Sequence, residues 1–532
     1  MKQITNALLF AGLALCLLQV WWPAYYVTGD GPCHVYNAQV LHDLWSHSKA
    51  TAMYRHFFTP VYQPNPNWLS TLVLALLLNV VKGAIAEKIF LTVYMLAFIG
   101  GFYALLKKIS GNGSAWMLVI LLFVFPHTLA KGFYNFSFSI AFYFWMVWSW
   151  LRFLERKNIG RGMLFFLFTG LLFFTHLLAF GFGVFTCAAL LISYSIAMPK
   201  GTIQQKLTGF FLRNALWLAV FVTPFLLLMQ RFTNEQGGLQ LQFRHHFYRL
   251  VELAQFKYIV NVTHREDYFA LAAGVSLLVM FCIAVINRIR TKGINKYDGF
   301  LLSLLFALFV YLFFPEEFLG RLILISMRAQ LFVFILIVCC IAYLLPDGKI
   351  MNSGSVVLFT CFIGMTIVRI SCMLPVSEAE ADYLSAGSFI KPYSVVLPLC
   401  FAPEGKDVAG NKIADRNYLF VHAADYMGTE KPLIMLDNFE AYMGYFPLRW
   451  TDKTNPYHHL GKYEGIEGNP PYAGINEYKD VSGVTINYIL LWCFDSSALQ
   501  NTHFRLLYDQ INSGYHIIYT SPAGRTILYE HN

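Results

Sequence analysis

Tyr25-Tyr26-Val27-Thr28-Gly29-Asp30-Gly31-Pro32-Cys33-His34-Val35-Tyr36-Asn37-Ala38 follows the first apolar run, Ala7 to Trp22, directly. An acid, a Gly-Pro turn and a histidine four positions past the acid, placed where a membrane helix surfaces, point to an active-site loop rather than a linker. Asp30-Gly31-Pro32 also fits a helix N-cap with proline in the first turn, opening a helix from Pro32 to Trp45. Both roles can coexist. On such a helix His34 lies one turn past Asp30, and Asn37 and Leu41 continue the face. At the membrane surface, partial desolvation raises the pKa of a carboxylate, so Asp30 could take a proton from a hydroxyl or bind a divalent cation. His34 could share that chemistry or be a satisfied interfacial histidine.

Working outward, the chain has 532 residues, of which 57% are hydrophobic, 17% aromatic and only 13% charged. That composition excludes an ordinary soluble protein and indicates a multi-pass membrane protein. The net charge of +9 is what cytoplasmic loops rich in Lys and Arg produce, and it does not call for nucleic acid. Most of the ten cysteines sit inside apolar runs, and none has zinc-knuckle spacing. Cys400 and Cys493 each end an apolar run in the polar C-terminal part and could pair if that part is exported. The first apolar run ends in Val20-Trp21-Trp22 rather than a small-residue cleavage site, which favours a retained signal anchor.

Runs of about 15 to 20 apolar residues, long enough to span a bilayer, occur at Ala7 to Trp22, Ile89 to Leu106, Ala115 to Ala130, Phe136 to Trp150, Met163 to Phe180, Gly181 to Ala197, Ala215 to Met229, Tyr268 to Ile286, Gly299 to Phe314, Ala329 to Leu345 and Val356 to Ile370. These eleven predicted spans leave out Trp68 to Val81, whose length suits an interfacial helix. With that run lying on the outer face, Lys107/Lys108, Arg152/Arg156/Lys157/Arg161, Lys200/Lys206/Arg213, Arg288/Arg290/Lys292/Lys296 and Lys349 all fall on the inner side. Asp30 and the C-terminal part then fall outside. Ala115 to Ala130, short and containing Pro126 and His127, is the weakest span.

From Pro375 onward Asp, Asn, Gly and Pro become frequent, so residues 1–374 read as a transmembrane domain and 375–532 as an extracytoplasmic α/β domain. Buried strands are expected at Ser394 to Cys400, Leu433 to Leu436, Asn487 to Cys493, Tyr515 to Thr520 and Thr526 to Glu530, with helices at Glu378 to Ile390 and Ser497 to Asn512. Asp437-Asn438-Phe439-Glu440-Ala441-Tyr442 follows a buried strand, where open α/β sheets bind ligands. It suits hydroxyl-rich ligands, or packing of this domain on the membrane part.

The order of elements resembles the GT-C superfamily of membrane glycosyltransferases, in the manner of dolichyl-phosphate-mannose and aminoarabinose transferases. The resemblance rests on the first helix, a long outer loop opening with Gly29-Asp30-Gly31-Pro32-Cys33-His34, the run Trp68 to Val81 preceded by Gln63-Pro64-Asn65-Pro66-Asn67, and the basic inner end Tyr103-Ala104-Leu105-Leu106-Lys107-Lys108. It covers the whole membrane part. It implies a GT-C-like helical fold, a polyprenyl-phosphate sugar as donor, a glycan, lipid or protein acceptor, a place in the inner membrane, and inverting displacement with Asp30 as base. Many members carry Asp-Glu at this position. Here Gly31 follows Asp30, so either Asp30 alone is the base or a second acidic residue comes from elsewhere.

Phe314-Pro315-Glu316-Glu317-Phe318-Leu319-Gly320-Arg321 offers two carboxylates that could complete the site or ligate a divalent cation, or could be solvated loop charge. Arg321 and Arg328 suit bidentate contact with a lipid phosphate, with snorkelling anchors as the alternative. Lys131, Tyr134 and Asn135 lie on the same outer face and could touch sugar or phosphate. His176, deep in an apolar stretch, is a functional candidate or a packing residue. His245/His246 belong to a loop that could lie on the membrane as a lid. Two other classes compete with an enzyme: a transporter or lipid-linked oligosaccharide translocator, and a non-catalytic membrane scaffold. A transporter would want charged or broken segments in mid-span and related halves.

Overall fold

In lipid every backbone N–H and C=O must be satisfied within the protein, so apolar runs become helices. The computed structural model describes the chain except for residues 1, 64, 112–114, 198–209, 231–245, 292, 319–320, 323 and 346–347. For residues 2–6, 229–230, 246, 317–318, 321–322 and 463–464 it describes the backbone alone.

Helix α1 (Lys2–Trp21) leads into a loop that carries α2 (Gly31–Trp45), α3 (Thr51–Phe57), strand β1 (Phe58–Pro60) and α4 (Leu69–Leu77). Then follow α5 (Gly83–Ser110), the short α6 (Trp116–Leu121) and α7 (His127–Ala130), α8 (Tyr134–Glu155), α9 (Ile159–Thr175) and α10 (Leu177–Ala197). The bundle continues with α11 (Leu212–Gln230), α12 (His246–Ala254), α13 (Asp267–Arg290), α14 (Gly299–Phe313), the hairpin β2 (Glu317–Phe318) and β3 (Arg321–Leu322), α15 (Ile325–Leu344) and α16 (Lys349–Leu384). Among the described residues five helices are long and apolar enough to cross a membrane by themselves, and four further apolar helices are shorter. The chain is an integral membrane protein.

Nine of the eleven predicted spans are continuous helices to within a residue at their ends. Met163 to Phe180 is divided at His176, where α9 ends and α10 begins, so the break falls before Gly181. Ala115 to Ala130 is not one helix either: α6 and α7 are separated by non-helical backbone at residues 122–126. Proline at 126 removes a donor, and the neighbours take up the exposed carbonyls. Tyr94 donates its hydroxyl to the Val124 carbonyl (2.8 Å) and Asn261 its amide to the Phe125 carbonyl (2.9 Å). Residues 118–130 are buried throughout, the condition under which non-helical backbone is tolerated at membrane depth.

The broken segment still carries the chain from one end of the bundle to the other. At its start, α5 ends where Lys108 meets Glu155 of α8 and Tyr297 donates to the Lys108 carbonyl. At its finish, Gly29 donates to the Ala130 carbonyl. The basic ends of α5 and α8 therefore lie together, at the end of the bundle away from Asp30. Helix α4 covers only 9 residues, about 14 Å of rise, too short to span. It packs on α2, α5, α8 and α9.

The C-terminal region is a five-stranded sheet of order β5-β4-β7-β9-β8. It comprises β4 (Ser394–Cys400), β5 (Leu433–Met435), β7 (Tyr488–Trp492), β8 (Tyr515–Thr520) and β9 (Thr526–His531). β5 and β7 flank β4 in parallel, while β9 and β8 add antiparallel. β7 is buried along its whole length and β4 in all but its last residue, as expected for strands covered on both faces. The five predicted strands are all present. The predicted helix Glu378 to Ile390 is not separate: α16 runs through Pro375 to Leu384 and passes into a 3₁₀ turn, Ser385–Phe389. The predicted helix Ser497 to Asn512 becomes a 3₁₀ turn, Ser496–Gln500, and a helix, Thr502–Gly514. Cys400 pairs in register with Trp492, one residue before Cys493, and both cysteines are free thiols.

β1 pairs antiparallel with β6 (Leu448–Trp450), which fastens the C-terminal region to the loop after α1. Within the membrane part, Arg369 of α16 binds Glu266 (2.7 Å) and the Ile259 carbonyl (2.6 Å), while Glu266 accepts from the backbone of Asn261 and Val262. Both side chains are buried, so removing one leaves the other charged and unpaired. Arg369→Met is expected to destabilise the protein by about 3 to 5 kcal/mol, read as a lowered unfolding midpoint in detergent, with Glu266→Gln/Arg369→Met recovering part of the loss.

Candidate active site

Asp30 stands where two loops touch. Its N–H donates to the Lys131 carbonyl (2.9 Å). Gly132 makes this contact possible: its φ is +84°, and a Cβ there would lie 2.4 Å from the Asp30 nitrogen. Asp30 occupies the N-cap position of α2, but its carboxylate makes no capping bond; Thr28 takes that role, accepting from the Gly31 N–H (3.1 Å). The acid is thus placed by backbone, with its carboxylate not engaged in the helix cap. It is partly accessible within dense protein. Burial raises its pKa to about 6, against the pull of His422, His34 and Lys131, while Glu440 adds to the rise.

The C-terminal region supplies the other carboxylates. Cys33, His34 and Asn37 form the face of α2 that meets the 437–440 loop. Asn37 donates to Glu440 (2.8 Å) and exchanges hydrogen bonds with Asn438, whose amide donates to the Asn37 oxygen (2.7 Å). Cys33 donates to Asn438 (3.1 Å). His34 pairs with Glu440 through Nδ1 (2.7 Å) and lies between the rings of Tyr134 and Phe446. Burial lowers the His34 pKa, but Glu440, Asp30 and a hydrogen bond to the Gly132 backbone outweigh it, leaving the imidazole above its usual value. His34 is buried, with its Nδ1 held on the Glu440 carboxylate.

Behind this layer, His422 lies 3.9 Å from Asp437 and 3.7 Å from Glu467, stacked on Phe439. Burial opposes its charge, yet Glu467, Asp437 and Asp30 carry its pKa to about 10, so a buried imidazolium faces the Asp30 region at neutral pH. Asp425 is pushed well above the carboxylate range by burial and by the charge of Asp437. On the membrane side, Glu87 at the start of α5 accepts hydroxyls from Tyr134 and Tyr426.

The cations line the other side. Lys131 is partly accessible next to Asp30, and Arg328 is within electrostatic reach of Asp30, Glu316 and Tyr445. The Arg328 guanidinium packs over Phe133 (4.7 Å) and Phe136 (5.7 Å). His176 ends α9, lies edge-on to Phe136 (5.1 Å) and is near Arg328. Asp30, His34, Lys131, Arg328 and His176 therefore share one region.

Other candidates are committed elsewhere. Tyr134 is fully buried, with its hydroxyl on Glu87 and Thr28. Asn135 accepts from the Ser70 N–H (3.0 Å) and donates to the Asn67 carbonyl (3.0 Å), holding the start of α4. Glu316 binds Arg249 (2.9 Å) and accepts from the Ser326 N–H (3.2 Å) at the start of α15. A cap and an ion pair use up the carboxylate expected to complete the site. The side chains of Glu317, Arg321 and His246, and the whole of His245, lie outside the described residues. Among the described residues no group of three His, Cys, Asp or Glu could hold a metal ion.

The missed groups had partial signals. Glu87 and Lys88 open an otherwise apolar helix, and an acid so placed marks a candidate by default. His422 and Asp437 flank strand β5 without a short motif.

The sequence matches no family model and no curated protein. In structure it is similar to ArnT from Cupriavidus metallidurans. The apo crystal structure aligns with TM-score 0.53 at 9% identity over 98% of both chains. The form bound to undecaprenyl phosphate aligns with TM-score 0.54 at 8% identity over 99% of this chain and 98% of that one. The chain has the ArnT fold. The expected GT-C architecture, helical bundle and C-terminal sheet together, is thus present end to end, and the ArnT-like bundle and C-terminal sheet enclose Asp30 between them.

Removing the Asn37 amide would leave Asn438 and Glu440 short of a buried partner. Asn37→Ala is expected to cost about 1 to 3 kcal/mol, measured as a lower unfolding midpoint in detergent, whereas Gln39→Ala on the same helix should leave it unchanged.

Proposed function

We propose that the chain is a membrane glycosyltransferase that takes a sugar from a polyprenyl-phosphate carrier and transfers it to a hydroxyl of a glycan, lipid or protein acceptor. The observation that carries this is a partly accessible carboxylate poised near pH 6, facing Arg328 and Lys131 inside an ArnT-like fold. The undecaprenyl-phosphate-bound structure of ArnT supports a lipid phosphate as the donor group here.

Asp30 takes the proton of the acceptor hydroxyl as its oxygen attacks the anomeric carbon. The bond from that carbon to the phosphate oxygen breaks with its electrons going to the phosphate, and configuration inverts. Arg328 and Lys131 offset the charge that develops on the leaving phosphate. His422, held charged by the acids around it, helps keep Asp30 ionised at neutral pH, and His34 pulls the Asp30 pKa in the same direction. Glu440, within electrostatic reach of Asp30, would take the place of the usual second carboxylate of the Asp-Glu pair. With the basic helix ends on the cytoplasmic side, Asp30 and the C-terminal domain face the outside of the inner membrane.

The test uses purified protein in detergent, offered polyprenyl-phosphate sugars and acceptors extracted together from the producing cell's membranes, with release of polyprenyl phosphate followed by mass spectrometry. Asp30→Asn is expected to slow release by at least about 100-fold while still binding undecaprenyl phosphate. Unchanged release would sink the assignment. In the wild type, kcat/KM should rise with pH through about 6 and then level, because the base must be ionised. Lys131→Gln removes a charge that favours the carboxylate, so it should move that limb to higher pH.

A further inference from the structure

Away from the Asp30 site, the outer wall of the bundle carries a groove of about 250 Å³ between α10 and α11, lined only by apolar side chains, among them Val184, Ala188, Leu191, Phe211, Ala215 and Leu218. Helix directions place it. α10 starts beside α4, where Asn67 donates to the Thr175 carbonyl, and its far end is held by Ser193 on the Lys296 carbonyl (2.7 Å). α11 runs alongside α9, with Gly162 against Phe221 and Gly170 against Phe225. The Phe211 end of the groove is therefore at the end of the bundle opposite Asp30.

Two cations stand at that end. Lys157 lies 5.9 Å from the Phe210 ring centre and within electrostatic reach of Arg213. Both are exposed, and neither has an acidic partner among the described residues. The sequence between α10 and α11, residues 198–209, contains no Asp or Glu. Burial first, and Arg213 second, hold the Lys157 ammonium below its usual value, a cost that a neighbouring anion would relieve.

We infer that this groove binds one anionic phospholipid of the leaflet opposite Asp30, its acyl chain between α10 and α11 and its phosphate between Lys157 and Arg213. An apolar groove of about 250 Å³ has room for part of an acyl chain and not for a helix. The paired cations select the headgroup, since each basic residue at an anionic membrane surface adds attraction. This site is independent of the donor reading, because it lies at the other end of the bundle and uses none of the same residues.

Delipidated protein would be given phosphatidylglycerol or phosphatidylcholine with identical acyl chains and the retained lipid counted by native mass spectrometry. Wild type is expected to retain phosphatidylglycerol at least about tenfold better. Lys157→Gln/Arg213→Gln, a change at two exposed side chains, should remove the preference while some lipid of both kinds remains. Ala188→Phe/Ala219→Phe, which fills the groove, should lose both lipids while eluting as the same monodisperse species. Equal retention of the two lipids by wild type would overturn the proposal, as would unchanged retention by the filled groove. Asp30→Asn should bind as wild type does; if it lost the phosphatidylglycerol, the lipid would belong to the donor site and the proposal would fail.

Discussion

The seam between α2 and the 437–440 loop is the contact on which the site depends. Asn37, Asn438, Cys33, Glu440 and His34 satisfy one another in a space closed to water. Amides and an ion pair in such surroundings tolerate one arrangement only, because a slip of one residue would strand several polar groups at once. Asp30 begins the same helix, so its position is set by the C-terminal region as much as by the membrane bundle. A carboxylate held in this way needs no hydrogen bond of its own to stay in place.

Charge in the site is balanced across regions that are far apart in sequence. The acids Glu440, Asp437 and Glu467 and the base His422 come from the C-terminal part, while Lys131 and Arg328 come from the ends of membrane helices. Desolvation alone would push Asp30 upward, and the buried His422 imidazolium, with His34 and Lys131, limits that rise. The outcome is an acid that is ionised at neutral pH yet still basic enough to accept a proton.

Hydrophobic runs and their flanking charges made most of the bundle legible, because length and polarity decide which segments cross a bilayer. The strands were legible for the same reason: Ser394 to Cys400 and Tyr515 to Thr520 stand as short apolar runs between turn-forming residues. Ala115 to Ala130 was legible as a crossing but not as a broken one. Its shape depends on Tyr94 and Asn261, which no local pattern connects to it. In the site, Asp30 was legible from its turn and its place beside a helix end. Glu316 looked equally available, but Arg249 and the start of α15 had already claimed it. Its replacement, Glu440, comes from a loop some 400 positions along the chain, and pairings at that separation leave no periodic trace.

The broken segment also constrains how the protein can be made. Leu121 lies against Gly12 of α1 and near Phe359 and Phe362 of α16, and the carbonyl of Phe125 is satisfied by Asn261. None of the later partners exists when residues 115–130 leave the ribosome. A stretch with unsatisfied carbonyls cannot rest in hydrocarbon on its own. The Phe125 carbonyl has its partner only once Asn261 has been synthesised. Lys131 and Gly132, whose backbone positions Asp30, are tied to the end of this segment, so the setting of the Asp30 loop is complete only after residues far later in the chain have been made.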